Sequence, residues 1–149
     1  KLEEEKWNRN LSLEEKKEIK NALGDLVKLI GEEAQTIIWF TWTCKSKPEK
    51  ITEKNINEYI VQMKRLLQND LAAQVYLAMI NRQAYDQIKP LLSSIKTMNE
   101  NITLEVENYK KCNDSTCKAI IAKEIGNYHD TILIIYDNLP LTLGEIYYS

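Results

Sequence analysis

The chain offers chemistry at three cysteines, one histidine and a tryptophan cluster. Cys112 and Cys117 bracket the four residues Asn-Asp-Ser-Thr. The ends of so short a loop can meet at the ~5.5–6 Å Cα separation that a disulfide requires. Cys44 stands far off in sequence, and a bridge from it to either of the others would tie two helical hairpins together. Three idle thiols are the remaining reading. A three-thiolate metal centre needs a fourth ligand. The sole histidine, His129, lies about 18 Å along a helix from Cys117 at the α-helical rise, so neither a metal nor another cofactor is expected.

His129 also lacks the partners of a catalytic group. Its neighbours Tyr128 and Asp130 are one residue away, and adjacent side chains on a helix do not face each other. A di-iron bundle places Glu three residues before His; here that position is Gly126, and Glu124 is at the wrong offset. The chain contains no phosphate-cradling glycine loop, no Cys-X-X-Cys and no nucleophile elbow. His129 therefore reads as a surface residue, and the chain as a protein without enzymatic activity.

The segment Ile37-Ile38-Trp39-Phe40-Thr41-Trp42 is apolar on every side of its helix. Such a segment is either enclosed by neighbours or meets a partner, and Trp is favoured where partners bind. Trp39, Phe40 and Trp42 form the candidate partner surface, for another protein or for self-association. Lysines gather at 45, 47 and 50 and again at 110, 111 and 118. Interspersed Glu49, Glu53 and Asp114, and the lack of arginine there, favour a solvated rim over a nucleic-acid surface. Asn10, Asn101 and Asn113 each open an Asn-X-Ser/Thr glycosylation sequon. About one such match is expected from composition. Sequons and the Cys112–Cys117 spacing together favour a secreted or extracytoplasmic setting. The chain opens on Lys1 rather than Met, as expected after a removed leader or an upstream cut.

Composition says which elements must hold these residues. Only 4 Gly and 3 Pro occur in 149 residues, too few for the turns of an all-β fold. The formal net charge is −2, which exerts no global pull on nucleic acid or anionic lipid. No uncharged run is longer than the 11 residues of 34–44, too short to span a bilayer. The length predicts one domain over 1–149. Ser12 with Glu15 forms a capping box, and a helix over 13–44 follows through Ile19, Leu23, Leu26, Ile30, Ala34 (or Glu33), Ile37, Thr41 and Cys44. Gly24 and Gly31 beside that stripe imply the close approach of another helix. Thr52 caps a second helix, 53–86, running through Ile56, Ile60, Met63, Leu67 and Leu71, with Asp70 as a potential break. Pro90 opens a third over 90–111, since proline disfavours helix before it. A fourth runs over 116–138 through Ile121, Ile125, Tyr128, Ile132 and Ile135, and is closed by Pro140.

These lengths predict an all-α, antiparallel up-down-up-down four-helix bundle, a long hairpin (13–44/53–86) against a short one (90–111/116–138), with apolar terminal segments around Trp7 and Tyr147-Tyr148. The topology puts Cys44, Cys112 and Cys117 at one end. The function expected is a non-enzymatic protein–protein interaction or assembly module, extracytoplasmic or surface-exposed. Two alternatives stand beside it. One is a ligand-sensing ectodomain of a membrane receptor, because both termini emerge at one end. The other is a small helical subunit of an intracellular nucleoprotein or viral assembly, because of the lysine rim.

Overall fold

The computed structural model describes residues 12–148, with side chains described through 144. The elements are α1 (Leu13–Ser46), a 3-10 turn (Pro48–Lys50), α2 (Glu53–Ile80), α3 (Arg82–Lys111), α4 (Ser115–Gly126) and α5 (His129–Tyr148). The described residues contain no strand. The chain is an all-α helical bundle. Its fourth rod is in two pieces, α4 and α5.

The first two caps form as the sequence predicts. Ser12 Oγ accepts the Glu15 amide at 3.1 Å. Thr52 Oγ1 accepts the Asn55 amide at 3.1 Å, while the Asn55 side chain takes the Thr52 amide. Each bond satisfies an orphan donor of a helix start. The stripe of α1 from Leu23 through Leu26, Ile30, Ala34, Ile37, Thr41 and Cys44 is buried. It joins Ile56, Tyr59, Met63 and Leu66 of α2, Ile88, Ile95, Ile102 and Val106 of α3, Ile125 of α4 and Ile132 of α5 in one core.

Cross-helix pairs give the directions. Phe40 stacks on Tyr59, with centroids 4.4 Å apart, and Tyr76 Oη donates to Glu18 at 2.6 Å. Thr41 meets His129, and Gln35 Nε2 donates to Tyr136 Oη at 2.8 Å. So α1 runs antiparallel to both α2 and α5, as an up-down-up-down bundle requires. Tyr59 Oη donates to Asn99 at 2.8 Å across the α2–α3 interface.

The expected boundaries move in three places. The second helix ends at Ile80, not 86, because Asn81 adopts an extended conformation (φ −156°, ψ 94°) and its side chain accepts the Ala84 amide at 3.1 Å. It is thus the cap of α3, which begins eight residues before Pro90. Proline disfavours this position, but Ile88, Leu92 and Ile95 bury on both sides of it, and packing outweighs the local cost of about 3 kcal/mol. Helix α2 does not break at Asp70. The two hairpins are consequently of similar reach, with α2 of 28 and α3 of 30 residues. The long-against-short picture does not hold.

The fourth helix breaks at Gly126–His129 and then continues through Pro140. Gly126 marks a close approach: a Cβ there would lie 2.8 Å from Lys45 Cα and 2.9 Å from its Cβ. Gly24 and Gly31, expected to fill that role, have nothing within 4 Å of the site of a Cβ.

Candidate functional site

Helix α1 divides the aromatic cluster. Phe40 faces inward, is 1% exposed and stacks on Tyr59. It belongs to the core, which removes it from the expected partner surface. Trp39 and Trp42 turn outward and remain 41% and 45% exposed. Trp39 lines a groove of about 1100 Å³ on the outer face of the α1–α2 hairpin, with Glu32 and Thr36 of α1 and Asn57, Val61 and Arg65 of α2. Val61 is itself exposed. The Trp42 ring carries Lys47 Nζ at 5.4 Å from its centroid, a cation–π contact that holds one face of the indole. The groove thus pairs apolar anchors with charges of both signs, including the Lys54–Glu58 ion pair.

The sulfurs of Cys112 and Cys117 are bonded, with Cα atoms 5.6 Å apart. The bond closes the turn between α3 and α4. Cys44 is a free, buried thiol. Burial pushes its pKa up to about 12, so it packs as a small apolar side chain and is not poised as a nucleophile. It lies at the same end as the disulfide. Tyr109, three residues before Cys112, is shifted upward by burial and then by Cys44, and Lys118 Nζ sits 5.8 Å over the Tyr109 ring.

The lysine rim is largely occupied by its own neighbours. Lys45 pairs with Asp130 at 3.2 Å, Lys110 with Glu107 at 4.0 Å, and Lys47 and Lys118 cover aromatic rings. His129 is buried, not on the surface as expected. Its Nδ1 lies 3.1 Å from Thr41 Oγ1. The Thr41 hydroxyl proton goes to the Ile37 carbonyl at 2.7 Å, so the ring N–H donates to the threonine oxygen. His129 thereby ties the start of α5 to α1. Among the described residues, no three His, Cys, Asp or Glu side chains converge as a metal site. No helix there is long and apolar enough to cross a membrane.

The sequons occupy different settings. Asn113 is exposed in the disulfide-closed turn, and Asn101 is exposed in the middle of α3. Asn10 lies outside the described residues.

One pairing escaped sequence reasoning. Glu33 of α1 is fully buried, and neither carboxyl oxygen has a hydrogen bond of good geometry. Across the α1–α2 interface Asp70 is 4% exposed and accepts Gln74 Nε2 at 2.6 Å. Burial first, then the adjacent Asp70, push the Glu33 pKa up to about 10. The Glu33 carboxyl is therefore neutral at pH 7. A second acidic contact joins α3 to α4, where Glu124 raises the pKa of Glu105 through a side-chain hydrogen bond. The signal for Glu33 was its place beside Ala34 on the core stripe. Its partner became visible only once the register of α1 on α2 was set.

Comparison with known proteins finds no matching family, no similar curated protein and no similar solved structure.

Proposed function

We propose that this bundle is a non-enzymatic protein–protein interaction or assembly module that works outside the cytoplasm or on a surface. The observation that carries the reading is the pair of half-exposed indoles, Trp39 and Trp42, on the outward face of α1 beside the α1–α2 groove. Two large apolar rings kept in solvent cost the free chain hydrophobic stabilisation, which a partner surface recovers. A groove between two long helices fits an amphipathic helix, docked by apolar anchors at helical spacing. The occupant is a helix of a protein partner, or the same hairpin of a second copy. The extracytoplasmic setting is supported by the Cys112–Cys117 bond, which persists in oxidising compartments, and by the exposed sequon at Asn113 in the same turn.

The test is sedimentation over a concentration series, alone and with extract of the native source, comparing the wild-type chain with the double variant Trp39→Ala/Trp42→Ala. The reading expects a faster-sedimenting species with the wild type that disappears in the variant, while circular dichroism is unchanged. Identical sedimentation of the two chains under every condition refutes it.

A further inference from the structure

A second concavity lies between α2 and α3, away from the tryptophan face. Its volume is about 290 Å³, at the lower end of the range for small-molecule sites, roughly 300–1,000 Å³. Asp70 lines it from α2, and Lys89, Ser93 and Lys96 line it from α3. Leu67, Leu71 and Leu92 supply apolar wall.

Asp70 is out of place as a purely structural residue. The buried positions of α2 are Ile56, Tyr59, Met63, Leu66, Asp70 and Leu77, so a carboxyl stands where the pattern calls for an aliphatic side chain. Burying such a group costs several kcal/mol unless it finds a partner of opposite charge. No lysine or arginine pairs with it among the described residues; its hydrogen-bond donor is the neutral Gln74 amide. Behind it, on α1, sits Glu33, fully buried. Acid thus accumulates at the inner side of a cavity whose mouth is basic. Lys89 and Lys96 are exposed, two turns apart on one face of α3, and neither forms an ion pair among the described residues.

We propose that this cavity binds a small zwitterion of the α-amino-acid class, its ammonium group on Asp70, its carboxylate on Lys89 and Lys96, and an aliphatic side chain against Leu67, Leu71 and Leu92. The separation of signs selects this class. A bare metal cation would meet two carboxyls and an amide, with two lysines opposing its entry, and hard cations need six or more oxygen ligands. A simple anion would meet Asp70. A zwitterion satisfies both ends and gives Asp70 the cationic partner it lacks among the described residues. Ser93, between the lysines on the same face, adds a hydroxyl donor for the carboxylate. The inference does not rest on the role given to Trp39 and Trp42, and failure of either leaves the other standing.

Isothermal titration of the whole chain tests it, using glycine, alanine, valine and leucine as zwitterions. Isopentylamine and 4-methylpentanoate serve as the leucine analogues lacking the carboxylate and the ammonium group. The site expects at least one of the four amino acids to bind, leucine to bind more tightly than either analogue by about tenfold or more, and Asp70→Asn to abolish binding. Should Asp70→Asn fail to fold, Lys89→Gln/Lys96→Gln decides, because both side chains are exposed. That variant weakens leucine by about tenfold and leaves isopentylamine unaffected. The proposal is overturned if none of the four amino acids binds, if isopentylamine matches leucine, or if the lysine variant binds leucine like the wild type.

Discussion

Replacing Glu33 by Gln changes how the stability of this protein responds to pH. In the folded chain the Glu33 pKa is pushed up to about 10, by burial and by Asp70 across the helix interface, from an ordinary value of 4.5. The unfolded chain releases the proton near 4.5, and the folded chain keeps it. Between those two values the folded state binds one more proton, so stability falls as pH rises. The slope is ~1.4 kcal/mol per pH unit for one proton. From pH 4.5 to pH 7.5 Glu33 alone therefore removes up to about 4 kcal/mol. Glutamine has nearly the same shape and no proton to lose. Urea unfolding at the two pH values, followed by circular dichroism, reads the difference between the chains. They are expected to be within about 1 kcal/mol at pH 4.5, with Glu33→Gln the more stable by at least ~2 kcal/mol at pH 7.5. A difference that does not change with pH refutes the argument, since Glu33 would then titrate alike in both states. The Glu105–Glu124 contact acts in the same direction and is common to both chains, so it cancels in the comparison.

Other substitutions follow from the packing. Gly24→Ala and Gly31→Ala each raise stability by about 0.5–1 kcal/mol in thermal melts, because a methyl meets nothing within 4 Å and helix propensity improves. Gly126→Ala lowers it, because the new methyl runs into the Lys45 backbone. Phe40→Ala costs about 3–5 kcal/mol by urea unfolding, as expected for a buried aromatic, whereas Trp42→Ala costs about 1 kcal/mol or less. Removing the disulfide with Cys112→Ser/Cys117→Ser costs about 2 kcal/mol, the loop-closure entropy of so short a loop. In that background Cys44 reacts with a thiol reagent only at the rate at which the chain unfolds, since its buried thiol stays protonated.

Periodicity and capping made much of the bundle legible. The stripe from Leu23 to Cys44 needed only a 4-3 alternation; Ser12 declared itself by residue type and by Glu15 three residues on, and Thr52 by residue type. Proline and asparagine misled. Pro90 carries a strong local preference against preceding helix, but Ile88 and Leu92 bury on either side of it, and tertiary packing prevailed. Asn81 was the true cap, and residue type alone did not rank it above Asp70, the break that the sequence offered. The close approach of Lys45 to Gly126 joins residues 81 positions apart, which no local pattern encodes. The same holds for the functional side chains. The outward turn of Trp39 and Trp42 and the inward turn of Phe40 follow from helix phase, which the stripe already fixed. The Glu33–Asp70 pair and the lysines over the α2–α3 cavity depend on the register of separate helices. On their own helices Glu33 reads as an alternative to Ala34 on the stripe, Asp70 as a potential break, and the lysines as ordinary solvated residues.

The claim that the α1–α2 face meets a protein is tested most directly by placing a photo-crosslinking residue at Val61 in the groove, in the chain expressed in its native cell. Leu104, similarly exposed but on α3, is the control. The account predicts a defined protein adduct at 61, whether heterologous or a second copy, that is absent at 104 and lost when Trp39 and Trp42 are both alanine. Equal labelling at the two positions, or labelling at 61 that survives loss of both indoles, contradicts it.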